Sequence, residues 1–328
     1  MIKYIIKRIL MLIPVLLGVI TLVFILNEAT PGDPAQMIAG IGASEEQIEA
    51  IREDYGLNRP VVVRYLDYLK NLVTKGDLGT SYTTKESVTK EIVGRFPTTL
   101  KLAGFSIILS CIIGIPLGIL SAVKRYSWID NTSMGLALFG VSIPNFFLGL
   151  LFMILFSVKL HWLPALFGSG KPTAWILPIL TLGIGGTASI TRTTRSAMLD
   201  VMNQDYVKTA RSKGQHEFVV VVKHMFRNAL IPIITVIGSQ FGFQLGGSIM
   251  VENVFGIPGI GKYMIDSING KNYPAVLGGV VYLAIAFSIV NLIVDIMYVF
   301  IDPRLKTSLI GAKKMKPGKI KEAASMEG

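Results

Sequence analysis

The sequence predicts an all-α polytopic membrane protein with six transmembrane helices, both termini in the cytoplasm, short amphipathic helices outside and one short helix inside. Three observations predict it. First, 51% of the 328 residues are hydrophobic and 16% are charged, whereas a soluble domain carries about 25% charged residues. Second, the apolar residues fall into six runs free of Asp, Glu, Lys and Arg: 9–27, 102–123, 131–158, 172–191, 228–251 and 272–294. About 20 such residues span the hydrocarbon core, where only a helix satisfies its own backbone. Third, the basic residues are one-sided. Nineteen Lys and Arg precede run one, separate runs two from three and four from five, or follow run six; the two short opposite loops carry four. Short basic loops stay inside, which sets the orientation.

Run one lies in residues 1–29. It is longer than the apolar region of a signal peptide and no A-x-A site follows it, so a retained anchor is expected. Residues 30–98 form an external segment with eight basic and ten acidic residues. Within it, Ser44-Glu45-Glu46-Gln47 is a capping box opening a helix with Ile48, Ile51 and Tyr55 on one face and Gly56 at its end. Pro60 suits the start of a second helix, and Leu66, Leu69, Leu72 and Val73 recur at helical spacing as far as Gly76. These helices either pack on the spans or offer a docking surface. Residues 99–304 hold the other five runs, with a tight turn at 124–130, a basic helical segment at 192–227 and a Gly-rich, apolar external loop at 252–272. Residues 305–328 form a basic cytoplasmic tail suited to anionic lipid.

Several function classes drop out. The net charge of +11 sits beside the spans, so it speaks for membrane orientation and against nucleic acid. Cys111 is the only cysteine, which excludes an intrachain disulfide and a thiolate cluster. His161, His216 and His224 are scattered, and no metal site is expected. No Ser/His, paired-Asp or HExxH constellation lies in the spans, so an enzyme is not expected. Gly256-x4-Gly261-Lys262 imitates a phosphate loop, but Tyr263 replaces the magnesium-binding Ser/Thr and no strand precedes it. A self-sufficient secondary transporter would need ion-coupling charges at mid-membrane.

The most informative stretch is Asp205-Tyr206-Val207-Lys208-Thr209-Ala210-Arg211-Ser212-Lys213-Gly214, followed by Arg227-Asn228-Ala229-Leu230-Ile231-Pro232. Asn203 is placed to cap a helix starting near Gln204, and Gly214 to end it. Such a helix has little to pack on in its own chain, which points to a partner groove. This segment resembles the coupling loop (residues 200–217) of binding-protein-dependent ABC transporter permeases. Its wording is similar to the dipeptide/oligopeptide/nickel branch, B-type subunit. The usual Glu-Ala-Ala opening reads Lys208-Thr209-Ala210 here. The resemblance extends through Pro31-Gly32-Asp33-Pro34, Tyr55-Gly56-Leu57-Asn58-Arg59-Pro60, Gly76-Asp77-Leu78-Gly79-Thr80-Ser81 and Glu252-Asn253-Val254-Phe255-Gly256-Ile257-Pro258-Gly259. It ends on Asp302-Pro303-Arg304. Members usually have Arg-Asp-Tyr-Pro where this chain has Lys271-Asn272-Tyr273-Pro274.

The resemblance implies half of the pore of an importer of di- or oligopeptides in a prokaryotic cell membrane, with nickel complexes as the alternative. It implies a paralogous permease, an extracellular solute-binding protein and two ATP-binding subunits that hold ATP and Mg, with no cofactor in this chain. Asp205, Tyr206, Thr209, Ala210, Arg211, Lys213 and Gly214 would then couple to the ATPase. Glu252, Phe255, Pro258, Gly259 and Gly261 would form an external gate or receptor contact, with structural packing as the other reading. Asn145, Gln240 and Gln244 are polar residues within spans, either lining the path or bonding between helices. The ridges Gly114/Gly118 and Gly238/Gly242/Gly246 mark close helix contacts, between permeases or within one.

Overall fold

The computed structural model describes residues 2–40 and 42–301; the ending at Asp302–Arg304 and the basic tail lie outside the described residues. The described residues are helical almost throughout, apart from a bridge between Thr80 and Ser87. Helix α1 (Ile2–Ala29) is followed by three short helices, α2 (Pro34–Ala39), α3 (Glu45–Asp54) and α4 (Val61–Lys75). Ser44 Oγ accepts from the Gln47 amide and Gln47 Oε1 from the Ser44 amide, so the capping box forms. Gly56 and Gly76 are left-handed at the ends of α3 and α4, as the sequence predicts.

Helix α5 (Val88–Val123) is the longest, at 36 residues. It begins well before the apolar run, so a domain boundary at residues 98/99 would cut a continuous helix. Its polar first turns persist because Glu91 accepts from the Tyr263 hydroxyl at 2.6 Å and Arg95 lies over the Tyr263 ring. The third run is not one straight span. It divides into α6 (Trp128–Ser142) and α7 (Asn145–Phe152), which meet at 102°, and α7 continues as a π-helix over Met153–Lys159. Pro144 accounts for the break: its ring excludes Ile143 from helical backbone, and Ile143 is extended.

Helix α8 (Ile176–Met202) overshoots its apolar run by eleven residues on the basic side. After it come α9 (Asp205–Ser212), a single turn α10 (Glu217–Val219) leading into a π-helix (Val220–Phe226), and α11 (Arg227–Phe255). Helix α12 (Ile260–Asn269) occupies the predicted external loop, and α13 (Tyr273–Ile301) closes the fold. By length and composition five helices can cross a membrane, six with the bent α6–α7 pair.

Packing within the chain uses the glycine ridges. A Cβ on Gly118 would lie 2.6 Å from the Thr191 carbonyl of α8, and one on Gly238 would lie 2.0 Å from Val294 of α13. Gly242 abuts Phe287 in the same way, while Gly246 faces open space. The ridges therefore close α5 on α8 and α11 on α13. The face opposite the basic segment is built on Ile20, Leu78, Val88, Ile92, Ile260 and Met264, against which α4 lays Tyr65, Tyr68, Leu69 and Leu72. Its other side leaves Val62, Leu66 and Val73 exposed.

Candidate functional site

The basic face carries α9, and local chemistry explains its form. Asp205 stands in its first turn, where a negative charge suits the helix dipole. The N-cap is Gln204 without a side-chain bond; Asn203 instead ends α8, so the expected Asn203 cap does not form. Gly214 takes φ +73° and turns the chain back. Arg211 then donates from Nε and Nη2 to the two carboxylate oxygens of Glu217, at 3.1 and 2.6 Å. Donating to Glu217 raises the pKa of the Arg211 guanidinium above its ordinary value.

The expectation that α9 has little to pack on in its own chain is corrected. Val207 and Ala210, three residues apart on one face, are buried with Ala197, Met198, Val220, Val221 and Met225. Ala210 therefore faces inward, and Arg211 is paired within the chain. Asp205, Tyr206, Thr209, Lys213 and Gly214 are exposed. Tyr206 is 42% exposed. Phe218, in the single turn α10, is 70% exposed and escaped the sequence reading. Its signal was an aromatic isolated between His216-Glu217 and the apolar segment. Tyr206 and Phe218 give this lobe two uncovered aromatic rings, the residue type that anchors protein interfaces.

The lobe is fastened to the spans by Asp130. Its carboxylate takes both Nε and Nη2 of Arg195, at 2.6 and 2.7 Å, and the Tyr126 amide at 2.9 Å. The tight turn 124–130 is thereby tied to the overshoot of α8, which carries α9.

On the opposite face, the group 252–261 forms a packed latch. The Glu252 carboxylate is fully buried and receives the amides of Gly261 at 2.7 Å and Lys262 at 3.3 Å. It thus occupies the N-terminus of α12, satisfying donors that a helix start leaves free. A Cβ on Gly259 would meet Glu252 Oε2 at 2.2 Å, and one on Gly261 would meet the Ile249 backbone at 2.3 Å. Phe255 is buried against Leu102, Leu177 and Leu182. Direct receptor contact by Glu252, Phe255, Gly259 and Gly261 is thus corrected, because each is covered by its own chain; Pro258 alone of the five is exposed. The same carboxylate fills the place a phosphate would take in a phosphate loop. Nearby, Asn272 is buried, donating to Ser81 Oγ at 2.8 Å and accepting from the Tyr82 amide at 2.9 Å. An aspartate could accept from both the Tyr82 amide and the Ser81 hydroxyl, so these bonds do not explain the departure at this position.

Two cavities complete the picture. One of about 530 Å³ lies between α1, the α2–α4 segment and the start of α13. Its charged residues are paired: Arg52 with Asp33, Arg59 with Asp67, and Arg64 with Glu28. Burial works against the Asp33 charge, but the bonds from Arg52 and the Ala35 amide win and hold its carboxyl below the usual range. The other, of about 320 Å³, lies at the α6–α7 break. It brings together Asn145 of α7 with Gln240 and Gln244 of α11, and Ser189 is its other polar residue.

A polytopic helical bundle with a neutral polar recess at a broken span, and a short helix standing off one face, is the form of a membrane permease subunit. Residues 1–103 and 114–307 match, respectively, the N-terminal and main parts of the binding-protein-dependent transport system inner membrane component. The chain is 45% identical over 306 residues to the glutathione transport system permease protein GsiC of Pectobacterium atrosepticum, covering 93% of this chain and 99% of that one. Against GsiC of Escherichia coli K12 the identity is 43% over the same span. Among solved structures, two inward-facing crystal forms of the MetNI methionine ABC transporter superpose with TM-scores of 0.52 and 0.56 at 19% identity. They cover 64% and 65% of this chain and 96% of theirs, a likeness of fold. The chain belongs to the family of binding-protein-dependent transport system inner membrane components: it is a multi-pass permease subunit of a bacterial ABC importer.

Proposed function

We propose that this subunit forms half of a pore importing short peptides, tripeptides of the glutathione type first among them. The relatives named as glutathione permeases support that substrate class. So does the recess at the α6–α7 break, whose polar lining is uncharged: a pathway for molecules already selected by an external receptor needs polarity without a fixed charge. A proton- or ion-coupled carrier would place ionisable groups there.

The observation that carries the coupling reading is α9. It buries Val207 and Ala210 on its own chain and leaves Asp205, Tyr206, Thr209 and Lys213 outward, with Phe218 beside them. In this reading the face docks on one of two ATP-binding subunits, which hold ATP and Mg. A paralogous permease completes the pore, and a solute-binding protein delivers substrate at the face bearing α12 and Pro258. In this reading both termini lie in the cytoplasm. Nucleotide-driven approach of the two ATPases moves the coupling helices together and switches access from one side to the other.

The test is reconstitution. The chain, its partner permease and the two ATPases are co-expressed, purified and placed in proteoliposomes with the receptor and labelled glutathione. Uptake requires ATP, and Tyr206→Ala releases the ATPase during purification while the permease pair stays folded. Uptake by this chain without any ATPase would end the reading.

A further inference from the structure

The recess at the broken span contains a side chain whose hydrogen-bonding capacity the fold leaves unused. Gln244 is 1% exposed, and neither its Oε1 nor its Nε2 has a partner. Among the described residues it is the one buried carboxamide in this condition; the other unpartnered buried atoms are hydroxyls and a single carboxylate oxygen. Buried amide groups are normally satisfied, so each exception calls for a reason. The nearest hydroxyl across Gly186, that of Ser110, is turned to the carbonyls of Ser106 and Gly183 at 2.8 and 2.7 Å.

The recess borders this residue, and α8 packs closely against its carboxamide. A Cβ on Gly186 would lie 2.6 Å from Gln244 Nε2, and one on Gly185 would lie 3.6 Å from Asn145 Oδ1. Two adjacent glycines of α8 thus let two carboxamides, one from α7 and one from α11, come close to its backbone at the edge of the recess. No Asp, Glu, Lys or Arg lines the recess, and Leu182 and Phe243 supply apolar wall. A group that fits must be uncharged and must carry both a donor and an acceptor. A trans peptide group does, and it presents its N–H and C=O on opposite edges. Carboxamides from two different helices can each pair with one edge, leaving the substrate's side chains to the apolar wall.

We infer that Gln244, together with Asn145, forms a subsite that pairs with the main-chain peptide group of the substrate in transit. It rests on the peptide-importer reading and adds what the passing molecule is recognised by: backbone amide, with little regard to side chain. Such a subsite suits a pathway that passes peptides of varied sequence.

The experiment uses the complete transporter in proteoliposomes, with the receptor loaded with either of two probes. These are glutathione and its analogue N-methylated at both amides, which has lost the N–H donors. Uptake by Gln244→Met is divided by wild-type uptake for each probe, so the receptor's own preference cancels. Glutathione uptake falls about tenfold, one hydrogen-bonded pair's worth, while uptake of the methylated probe falls far less. Receptor-stimulated ATP hydrolysis continues. Gln244→Leu, which likewise lacks the acceptor for the peptide N–H, is expected to show the same contrast, so the idea stays exposed if the Met variant does not assemble. Equal losses for both probes would mean a packing role and overturn the subsite, as would undiminished uptake of both. Wild-type ATP hydrolysis with import of neither probe would instead overturn the peptide-importer reading itself.

Discussion

Arg195→Ala should damage this protein more than Asp130→Ala, although the two changes break the same ion pair. The side chain of Asp130 is 2% exposed and that of Arg195 is 24% exposed. Removing one member of a buried pair costs about 3–5 kcal/mol, chiefly because the survivor is left charged and uncompensated. Arg195→Ala strands a carboxylate that keeps only the Tyr126 amide as a donor, so its cost belongs near the upper end, about 4 kcal/mol. Asp130→Ala strands a guanidinium on a long stem that can turn its head to water, and a cost of about 2 kcal/mol follows. The double variant strands nothing, and its cost should fall short of the summed single costs by at least about 1.5 kcal/mol. Urea unfolding of the detergent-purified chain, followed by tryptophan fluorescence, measures all three. Trp128 lies two residues from Asp130 and is exposed, so its emission reports the turn directly. Equal costs for the two single variants, or strict additivity in the double, would refute the claim that stranded charge decides the energy.

Three further outcomes follow from the packing. Val207→Asp buries a lone carboxylate beneath α9 and should unfold the lobe at a cost of about 3 kcal/mol or more, seen as rapid proteolysis between α8 and α11, where Tyr206→Ala leaves digestion unchanged. Gly261→Ala drives a methyl group to 2.3 Å from the Ile249 backbone and should cost about 1–3 kcal/mol; Gly246→Ala, with open space around it, is the neutral control in the same melting assay. Asn272→Leu removes both the acceptor of the Tyr82 amide and the donor to Ser81 and is expected to cost about 1–3 kcal/mol, with hydrogen exchange rising at Tyr82; unchanged exchange there would count against the bond.

The spans were legible because hydropathy dominates everything else in a bilayer, and the helix ends were legible at Ser44, Gly76 and Gly214, where one residue type does a local job. What escaped the sequence was which side of a short element faces in. Val207 and Ala210 sit three apart, an inward stripe in retrospect, yet their cover comes from Val220, Val221 and Met225, in a stretch whose π-helical turn no periodicity announces. Glu252 misled for a related reason. An acid in a Gly-rich loop suggests water or a partner, but its partners are main-chain amides nine and ten residues on, and backbone donors leave no mark in side-chain pattern. Pro144 was visible all along. A hydropathy window averages over it and shows only one apolar run, whereas helical backbone is disfavoured at the residue before a proline; Pro97, Pro116 and Pro232 stay inside helices, so a proline marks a permitted break and not an obligatory one.

That break is what gives the polar residues of the spans their meaning. With a straight third span, Asn145 would be one more interhelical hydrogen-bonding residue. The 102° bend places Asn145 at the start of a new helix, beside Gly185 and in the same recess as Gln240 and Gln244. The carboxamides meet where the residue before a proline leaves the helical backbone. It follows that Pro144→Ala, by removing the steric bar at Ile143, should disturb the recess more than its removed volume suggests. Straightening α6 into α7 would carry Asn145 away from Gly185, and peptide uptake should drop even with the pore subunits assembled and ATP hydrolysis intact. If Pro144→Ala transports as the wild type does, the bend is maintained by packing alone and the proline has no part in shaping the path.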